Sequence, residues 1–230
     1  MYLTKDKQPV LLHDPTVNRT TNGKGRVSDL TLAEIKKLDA GSWKDKTFTG
    51  EPVPTLDEAL AIMPRNIWLN IHLKEGRECG ETAARAVVNA GRLHQAFLAC
   101  GAEAAAGAKS VSPDILICNM ERQGGAEAYV QDTIARKAQF IQLTGVSPGD
   151  LGQLITLLKK HGIRINYFGQ EKPEELRALF ACGVDFPLVN DVSIGLAVAA
   201  GAGIEDSSKE PKRGIQKTVC KYHFTRIPRE

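Results

Sequence analysis

Short apolar runs alternate with amphipathic stretches along almost the whole chain. A short apolar run is typical of a buried strand, and apolar residues at three- and four-residue intervals are typical of a helix with one buried face. The pattern predicts seven strands, at residues 9–13, 67–74, 94–100, 114–119, 139–143, 163–168 and 184–189. It predicts helices at residues 31–38, from 55 onward, and at 80–91, 102–110, 125–137, 148–161, 172–182 and 192–200.

Local signals mark where several of these helices begin and end. A threonine followed three residues later by a glutamate forms a capping box at a helix start, and the chain has this pair at Thr31–Glu34 and at Thr55–Glu58. Glycine commonly follows the last residue of a helix, which predicts helix ends at Gly91, Gly162 and Gly183.

The order of the elements indicates the fold class. Strands that alternate with helices predict an α/β protein with a parallel sheet covered by helices. Seven such units are closer to a TIM (β/α)8 barrel than to an open doubly wound sheet, which stays as the alternative. The GxGxxG signature of dinucleotide-binding sheets is absent, because Gly23–Gly25 neither follows a predicted strand nor leads directly into a helix.

Composition and charge exclude several classes of protein. The 230 residues are 42% hydrophobic and 25% charged, which excludes a disordered chain, a collagen-like repeat and a small disulfide scaffold. No stretch has the roughly 20 apolar residues of a transmembrane helix. The net charge of +3 lies in residues 205–230, so we expect no nucleic-acid partner. We predict a barrel domain over residues 1–203 and a flexible basic tail over residues 204–230.

The five cysteines are odd in number and widely spaced. No CxxC pair exists, which excludes a zinc knuckle and a thioredoxin-like site. Cys118 and Cys182 lie in apolar runs, and we predict buried free thiols there. This usage favours a reducing, cytoplasmic compartment, while a secreted or periplasmic location stays open.

Polar residues follow the apolar core of several predicted strands. Functional side chains of a parallel barrel lie at the C-terminal ends of its strands. That rule selects His13, Asp14, Asn70, His72, Lys74, Asn119, Glu121, Gln142, Asn166, Asn190 and Asp191. The chain has no GxSxG elbow and no HExxH helix, so hydrolysis would need a histidine, a metal ion or both. His13 is the strongest candidate, because it ends an apolar run and precedes an Asp-Pro turn.

The residues that follow His13 carry a family resemblance. The segment 13–25, HDPTVNRTTNGKG, resembles the HDPTxxRTTxGxG stretch of glycerophosphodiester phosphodiesterases. The match continues through Val27–Ile35, Leu38–Trp43 and Pro52–Leu60, with further similarity at Leu3–Asp6, Gly183–Asp185 and Asn190–Asp191. The first 74 residues match densely and the remainder loosely.

The resemblance implies a TIM barrel that hydrolyses a glycerophosphodiester, a small-molecule substrate, to glycerol 3-phosphate and an alcohol. It implies two catalytic histidines and a divalent metal ion held by carboxylates, with His13 on the position of the general acid. A metal ion would neutralise the anionic phosphodiester, and a histidine can protonate a departing alkoxide near neutral pH. The sequence does not distinguish Mg, Ca, Mn and Zn.

The chain departs from the family pattern at its N-terminus. The family's HRG and ExD motifs would precede Met1, so we expect a barrel that lacks its first β/α unit and most of strand 2. The missing motifs would supply the general base and two metal ligands. We therefore expect the chain to have little activity alone.

A second departure lies in the strand that the family writes as LNIEIK, where His72 stands in place of the glutamate. His72 could bind a softer metal ion, contact phosphate, or mark a member that has lost the standard site. Glu121 could replace the missing metal ligand or be an ordinary loop glutamate. Arg19 and Lys74 are candidate substrate-binding residues for the phosphate, against the alternatives of loop charge and a strand-end ion pair.

A different class of function stays open because of His72. A barrel of this sequence could bind a sugar phosphate or a phospholipid headgroup without catalysis. The alcohol group of the substrate and the oligomeric state are not determined by the sequence.

Overall fold

A computed structural model describes residues 1–204. The predicted basic tail, residues 204–230, lies outside the described residues except for Ile204. The described residues form two compact units. The first unit comprises residues 1–63, 71–94 and 100–115, and the second comprises residues 64–70, 95–99 and 116 onward.

The first half of the chain begins with a hairpin and four helices. Two short strands, β1 (Tyr2–Leu3) and β2 (Pro9–Val10), pair antiparallel, with Tyr2 opposite Val10. The helices are α1 (Leu32–Ile35), α2 (Leu56–Ile62), α3 (Arg77–Asn89) and α4 (Ala102–Val111). Two 3-10 turns, at Val27–Asp29 and Lys46–Phe48, shape the loops between them.

The remaining strands form one six-stranded sheet in the order β3-β4-β5-β6-β7-β8. They are β3 (Leu69–His72), β4 (Ala96–Cys100), β5 (Leu116–Asn119), β6 (Phe140–Thr144), β7 (Arg164–Phe168) and β8 (Phe186–Leu188). The pairs from β5 to β8 are parallel. The helices between and after these strands are α5 (Gly125–Ala135), α6 (Pro148–Lys160), α7 (Pro173–Cys182) and α8 (Val192–Gly201). This is the predicted alternation of strand and helix.

The prediction that residues 9–13 form a strand of the parallel sheet is wrong. Residues 9–13 are not a strand of the parallel sheet, because only Pro9–Val10 is extended and it pairs antiparallel with β1. The Thr4 N–H donates to the Gln8 carbonyl, 3.0 Å away, which closes the hairpin locally. A two-residue apolar strand carries no signal for its partner, and the short connection to β1 permits antiparallel pairing.

The predicted helix ends are confirmed. At both Thr31–Glu34 and Thr55–Glu58 the threonine side chain accepts from the glutamate N–H and the glutamate side chain accepts from the threonine N–H. Gly91, Gly162 and Gly183 follow their helices with φ of 63°, 68° and 98°, which glycine adopts without steric cost.

Helices α3 and α4 approach each other at two glycines in the first unit. A Cβ built on Gly80 would lie 2.0 Å from the carbonyl oxygen of Ala104, and one on Gly107 would lie 2.3 Å from that of Arg77. Both neighbours are backbone atoms of a helix, so a side chain at either glycine would force the helices apart.

We expect Gly80→Ala to destabilise the chain by about 3 kcal/mol, because overpacking against backbone cannot be relieved by a rotamer change. Gly152→Ala is the matched control, since Gly152 is exposed inside α6 with no atom near its built Cβ. There the alanine should stabilise by about 0.5–1 kcal/mol. Urea unfolding of the two variants measures both changes, and equal midpoints would contradict the close approach.

The second unit has a core of aliphatic residues and a cluster of aromatic rings. Trp68, Phe97, Phe140 and Phe186 contact one another, with Phe97 and Phe140 stacked at a centroid distance of 4.0 Å. The guanidinium carbon of Arg164 lies 4.5 Å from the Trp68 ring centroid, within the range of a cation–π contact. These rings come from strands β4, β6 and β8 and from the residue before β3.

Of the two cysteines that were predicted to be buried, one is buried and the other is exposed. Cys118 is buried as expected, but Cys182 is exposed at the end of α7. An amphipathic helix has an exposed face, and an apolar run alone did not show that Cys182 lies on it. None of the helices within residues 1–204 is long and apolar enough to cross a membrane.

Candidate active site around His13

His13 lies in a loop that the hairpin and α2 position. Val10 is fully buried and bridges to Thr55 at the start of α2, and the Leu11 N–H donates to the Pro54 carbonyl, 2.9 Å away. The chain then leaves β2 and reaches His13 without further strand pairing. His13 is therefore placed by a hairpin and a loop, and its predicted place at the end of a parallel strand is wrong.

The loop after His13 is held by its own backbone and by a small core. The Val27 N–H donates to the Pro15 carbonyl and the Val17 N–H to the Gly25 carbonyl, each at 3.0 Å. Gly25 has a φ of 116°, which favours glycine, and its N–H donates to Asn18 Oδ1 at 2.9 Å. The side chains of Val17 and Val27 are fully buried. The loop thus has a defined shape and presents its polar side chains outward.

Three of these polar side chains form a connected group. His13 Nδ1 lies 2.7 Å from Asp14 Oδ1. Arg19 donates from Nε to Asp14 Oδ2 at 2.6 Å and from Nη2 to Asp14 Oδ1 at 3.1 Å. The side chains of His13, Asp14 and Arg19 are 42%, 27% and 40% exposed. Asp14 thus bridges the imidazole and the guanidinium at a surface that solvent reaches.

The charge state of Asp14 determines which nitrogen of His13 can react. The Arg19 guanidinium, and then the His13 hydrogen bond, lower the pKa of Asp14 to about 2. An ionised carboxylate only accepts hydrogen bonds, so Nδ1 of His13 must carry the proton in this pair. Nε2 is then the atom left to exchange a proton with a bound molecule.

Because of the ion pair between Asp14 and Arg19, the effect of replacing Asp14 on the free energy of unfolding should depend on pH. Because the pKa of Asp14 is lowered in the folded chain, from 3.8 to about 2, its contribution is present above about pH 4 and is lost as pH falls through about 2. We expect Asp14→Asn to lower the free energy of unfolding at about pH 6 and the difference from wild type to shrink below about pH 4.

Urea unfolding at a series of pH values measures that difference. In an Arg19→Gln background the pH-dependent part of this difference should become smaller, because Arg19 is the largest cause of the pKa shift of Asp14. A difference between wild type and Asp14→Asn that stays constant down to about pH 2 would contradict the ion pair.

The candidates on β3 lie at the end of that strand. Strand alternation places Asn70 and His72 on the same face, while Ile71 between them is buried. His72 is half-buried, and Lys74 is exposed with its N–H donating to the Met1 carbonyl at 3.3 Å. Asn70 Oδ1 is buried without a hydrogen-bond partner. The roles of His72 as a metal ligand and of Lys74 as a phosphate contact stay predictions.

The candidates near β5 belong to the second unit and have local contacts. Asn119 donates from Nδ2 to Asp132 Oδ2 and to Thr133 Oγ1, each at 2.9 Å, and so it ties β5 to α5. Glu121 is half-buried, and its N–H donates to Asn119 Oδ1 at 3.0 Å. Its predicted role as a metal ligand stays a prediction, whereas Asn119 has a structural role.

Four further strand-end residues also lie in the second unit. Asn190 donates to Glu171, and Asp191 caps α8 by accepting from the Ser193 N–H at 2.9 Å. The strand-end rule selected both residues: Asn190 joins the segment after β8 to the segment after β7, and Asp191 begins α8. Gln142 and Asn166 are buried, at 9% and 1% exposure.

Within residues 1–204, no group of three His, Cys, Asp or Glu side chains is placed to hold a metal ion.

The strand-end rule selected Asp14, but the sequence did not indicate which side chains it contacts. The structure makes it the direct partner of His13 and of Arg19. The only signal in the sequence is that a carboxylate directly follows the histidine, and adjacent residues in a chain rarely face each other. The geometry of the loop was needed to find this contact.

Comparisons with known proteins identify the family of the chain. The model of the glycerophosphoryl diester phosphodiesterase family matches residues 1–193. YhdW of Bacillus subtilis is 54% identical over 72 residues, and the glycerophosphodiester phosphodiesterase of Caldanaerobacter subterraneus is 51% identical over 75 residues. These matches cover 31% and 32% of this chain and 30% and 31% of those relatives, so the matched segment spans about a third of their length.

Solved structures extend the likeness over most of the chain. The crystal structure of glycerophosphodiester phosphodiesterase from Agrobacterium tumefaciens has a TM-score of 0.73 and 26% identity, and the match covers 85% of this chain and 84% of that one. An Oleispira antarctica phosphodiesterase in complex with the product sn-glycerol-3-phosphate has a TM-score of 0.71 and 23% identity, covering 87% and 82%. The likeness confirms the predicted TIM (β/α)8 fold class.

Proposed function

The chain belongs to the glycerophosphoryl diester phosphodiesterase family, and from this we propose that the protein hydrolyses glycerophosphodiesters to glycerol 3-phosphate and an alcohol. The observation that carries the proposal is the hydrogen-bonded pair of His13 and Asp14, which lies at an exposed surface within the family match. The product complex of the Oleispira antarctica relative supports the choice of substrate class.

His13 acts as the general acid in this proposal. Water gives a proton to a general base and adds to phosphorus, the bond from phosphorus to the alcohol oxygen breaks, and His13 Nε2 gives its proton to the departing alkoxide. Asp14 holds Nδ1–H, so it fixes the ring and stabilises the positive charge that the ring carries before it donates. The general base that would activate the water is not assigned to a described residue.

A divalent ion, when bound, would supply charge neutralisation of the phosphodiester oxygens. His72, at the position of the family's glutamate, and Glu121, after β5, are its candidate ligands, and within residues 1–204 no group of three His, Cys, Asp or Glu is found. No step above is therefore assigned to the ion. Lys74 stays a candidate contact for the phosphate, since it is an exposed cation that follows β3.

The test is an assay of glycerophosphocholine hydrolysis with Mg, Ca, Mn and Zn in turn. It uses this chain and a form to which an N-terminal segment with the family's HRG and ExD motifs is added, because the resemblance implies that these motifs complete the site. We expect release of glycerol 3-phosphate and choline by the extended form with at least one metal ion. No turnover by either form with any of the four ions would overturn the proposal.

A non-catalytic barrel that binds a sugar phosphate or a phospholipid headgroup is the second candidate, because His72 replaces the glutamate of the family pattern. Isothermal titration with glycerol 3-phosphate separates the two functions. Binding without turnover in either form would support the second candidate, and turnover would exclude it.

A further inference from the structure

Both donor nitrogens on one edge of the Arg19 guanidinium bind the Asp14 carboxylate. Nε and Nη2 donate to the two carboxylate oxygens at 2.6 and 3.1 Å, a two-point contact that fixes both planes. Asp14 Oδ1 also lies 2.7 Å from His13 Nδ1. The orientation of the carboxylate that meets His13 is thus set by Arg19.

We propose that Arg19 is a positioning residue, which holds Asp14 so that Asp14 keeps the proton of His13 on Nδ1 and directs Nε2 outward. Arg19 is then not a residue that binds the phosphate of the substrate. The proposal rests on the proposed function, in which His13 is the acid, but its structural part can be measured without turnover.

Charge and geometry both argue against phosphate binding by Arg19. The Asp14 carboxylate neutralises the guanidinium, and a phosphate approaching the same edge would meet that negative charge. To bind phosphate through Nε and Nη2, Arg19 would have to leave Asp14, and His13 would lose its fixed partner. A guanidinium that is already paired with a carboxylate attracts a substrate anion less strongly than an unpaired one.

The backbone keeps the two ends of this contact in place. Asp14 precedes Pro15, which restricts Asp14 to extended conformations, and the Pro15 carbonyl accepts from the Val27 N–H. Arg19 lies inside the loop closed by the hydrogen bonds of Gly25 to Val17 and Asn18. Both residues are therefore presented by a loop of defined shape, which a positioning contact requires.

The charge of Asp14 also acts on a group of another element. Tyr2 of β1 has its pKa raised by burial, and then by the carboxylates of Glu75 and Asp14. Tyr2 therefore stays neutral and adds no charge to the pair. Arg19 is the cation that lowers the pKa of Asp14 most.

The first experiment records the 15N spectrum of the histidine rings in this chain at about pH 9, where imidazoles are neutral. The His13 signals are identified by their loss in His13→Gln. We expect the Nδ1–H tautomer in wild type and a mixture of both tautomers in Arg19→Gln. Arg26→Gln is the matched control, because it removes an exposed arginine from the same loop, and it should leave the tautomer unchanged.

A second measurement follows the Asp14 carboxyl carbon with pH. Arg19→Gln should raise the pKa of Asp14, and Arg19→Lys should restore the charge but not the two-point contact. The lysine variant should therefore recover part of the Asp14 shift while the tautomers stay mixed. An unchanged tautomer in Arg19→Gln would overturn the proposal.

Kinetics of the active form separate positioning from phosphate binding. We expect Arg19→Gln to lower kcat about tenfold while KM and the inhibition constant of glycerol 3-phosphate stay within about twofold. A tenfold rise in both constants with an unchanged tautomer would show a phosphate contact instead. If no form turns over, the proposed function fails, and the tautomer still decides whether Arg19 positions His13.

Discussion

Replacing His13 with glutamine is expected to lower kcat for glycerophosphocholine by two to four orders of magnitude, in the form of the protein that turns over. General acids contribute about 10²–10⁴ to such rates, because an alkoxide is a poor leaving group unless it is protonated. The His13 side chain is 42% exposed, so its loss should change stability little. The urea midpoint checks that the variant is folded.

A change of leaving group separates a general acid from other roles of His13. A nitrophenyl phosphodiester releases an anion that is already stable, so His13→Gln should slow it far less than it slows glycerophosphocholine. His161→Gln is the control, because His161 is an exposed histidine at the end of α6. Equal losses with both substrates would remove the acid assignment.

Phe140→Ala is expected to destabilise the second unit by about 3–5 kcal/mol, the range for removing a buried phenylalanine. Phe140 is 1% exposed, and it stacks on Phe97 at 4.0 Å and meets the Trp68 edge at 5.4 Å. The alanine leaves a cavity between rings that come from different strands, and stiff aromatic neighbours cannot collapse into it.

Phe168→Ala provides the matched control, since it makes the same substitution on β7 at a ring that is 48% exposed. Its cost should be below about 1 kcal/mol, because most of that ring is already in water. Urea unfolding followed by circular dichroism compares the two variants. Similar midpoints for both would mean that the aromatic cluster does not stabilise the sheet.

Local sequence patterns correctly predicted the helices and strands whose formation depends on residues close together in the chain. The alternation of apolar runs and amphipathic stretches located β3 to β8 and α3 to α8 to within a few residues. The capping boxes at Thr31–Glu34 and Thr55–Glu58 and the glycine helix ends were correct, because each depends on residues within one turn.

Two predictions were wrong, one about the partner of a strand and one about the exposed face of a helix. Residues 9–13 are apolar enough for a buried strand, but β2 pairs with β1 and not with the parallel sheet. Cys182 lies in an apolar run, but the helix turns it to solvent. Neither pairing nor facing is encoded in a short apolar run by itself.

For the candidate site too, the sequence identified some features and the structure was needed for others. The HDPT motif identified His13, because its residues are consecutive and their order is distinctive. The sequence made Arg19 either a candidate phosphate contact or an ordinary loop charge, and the structure adds that its guanidinium donates to Asp14. The strand-end rule also selected Asn119 and Asp191, whose contacts tie a strand to a helix and cap a helix.

The sequence by itself determined the family, the alternation of strand and helix, and His13 as the candidate general acid. Only the tertiary structure decided that Asp14 meets His13 and that Arg19 holds Asp14. The physical reason is that periodicity and motifs report interactions within a turn or a strand. The contact between Arg19 and Asp14 exists because hydrogen bonds and two buried valines close the loop that follows His13.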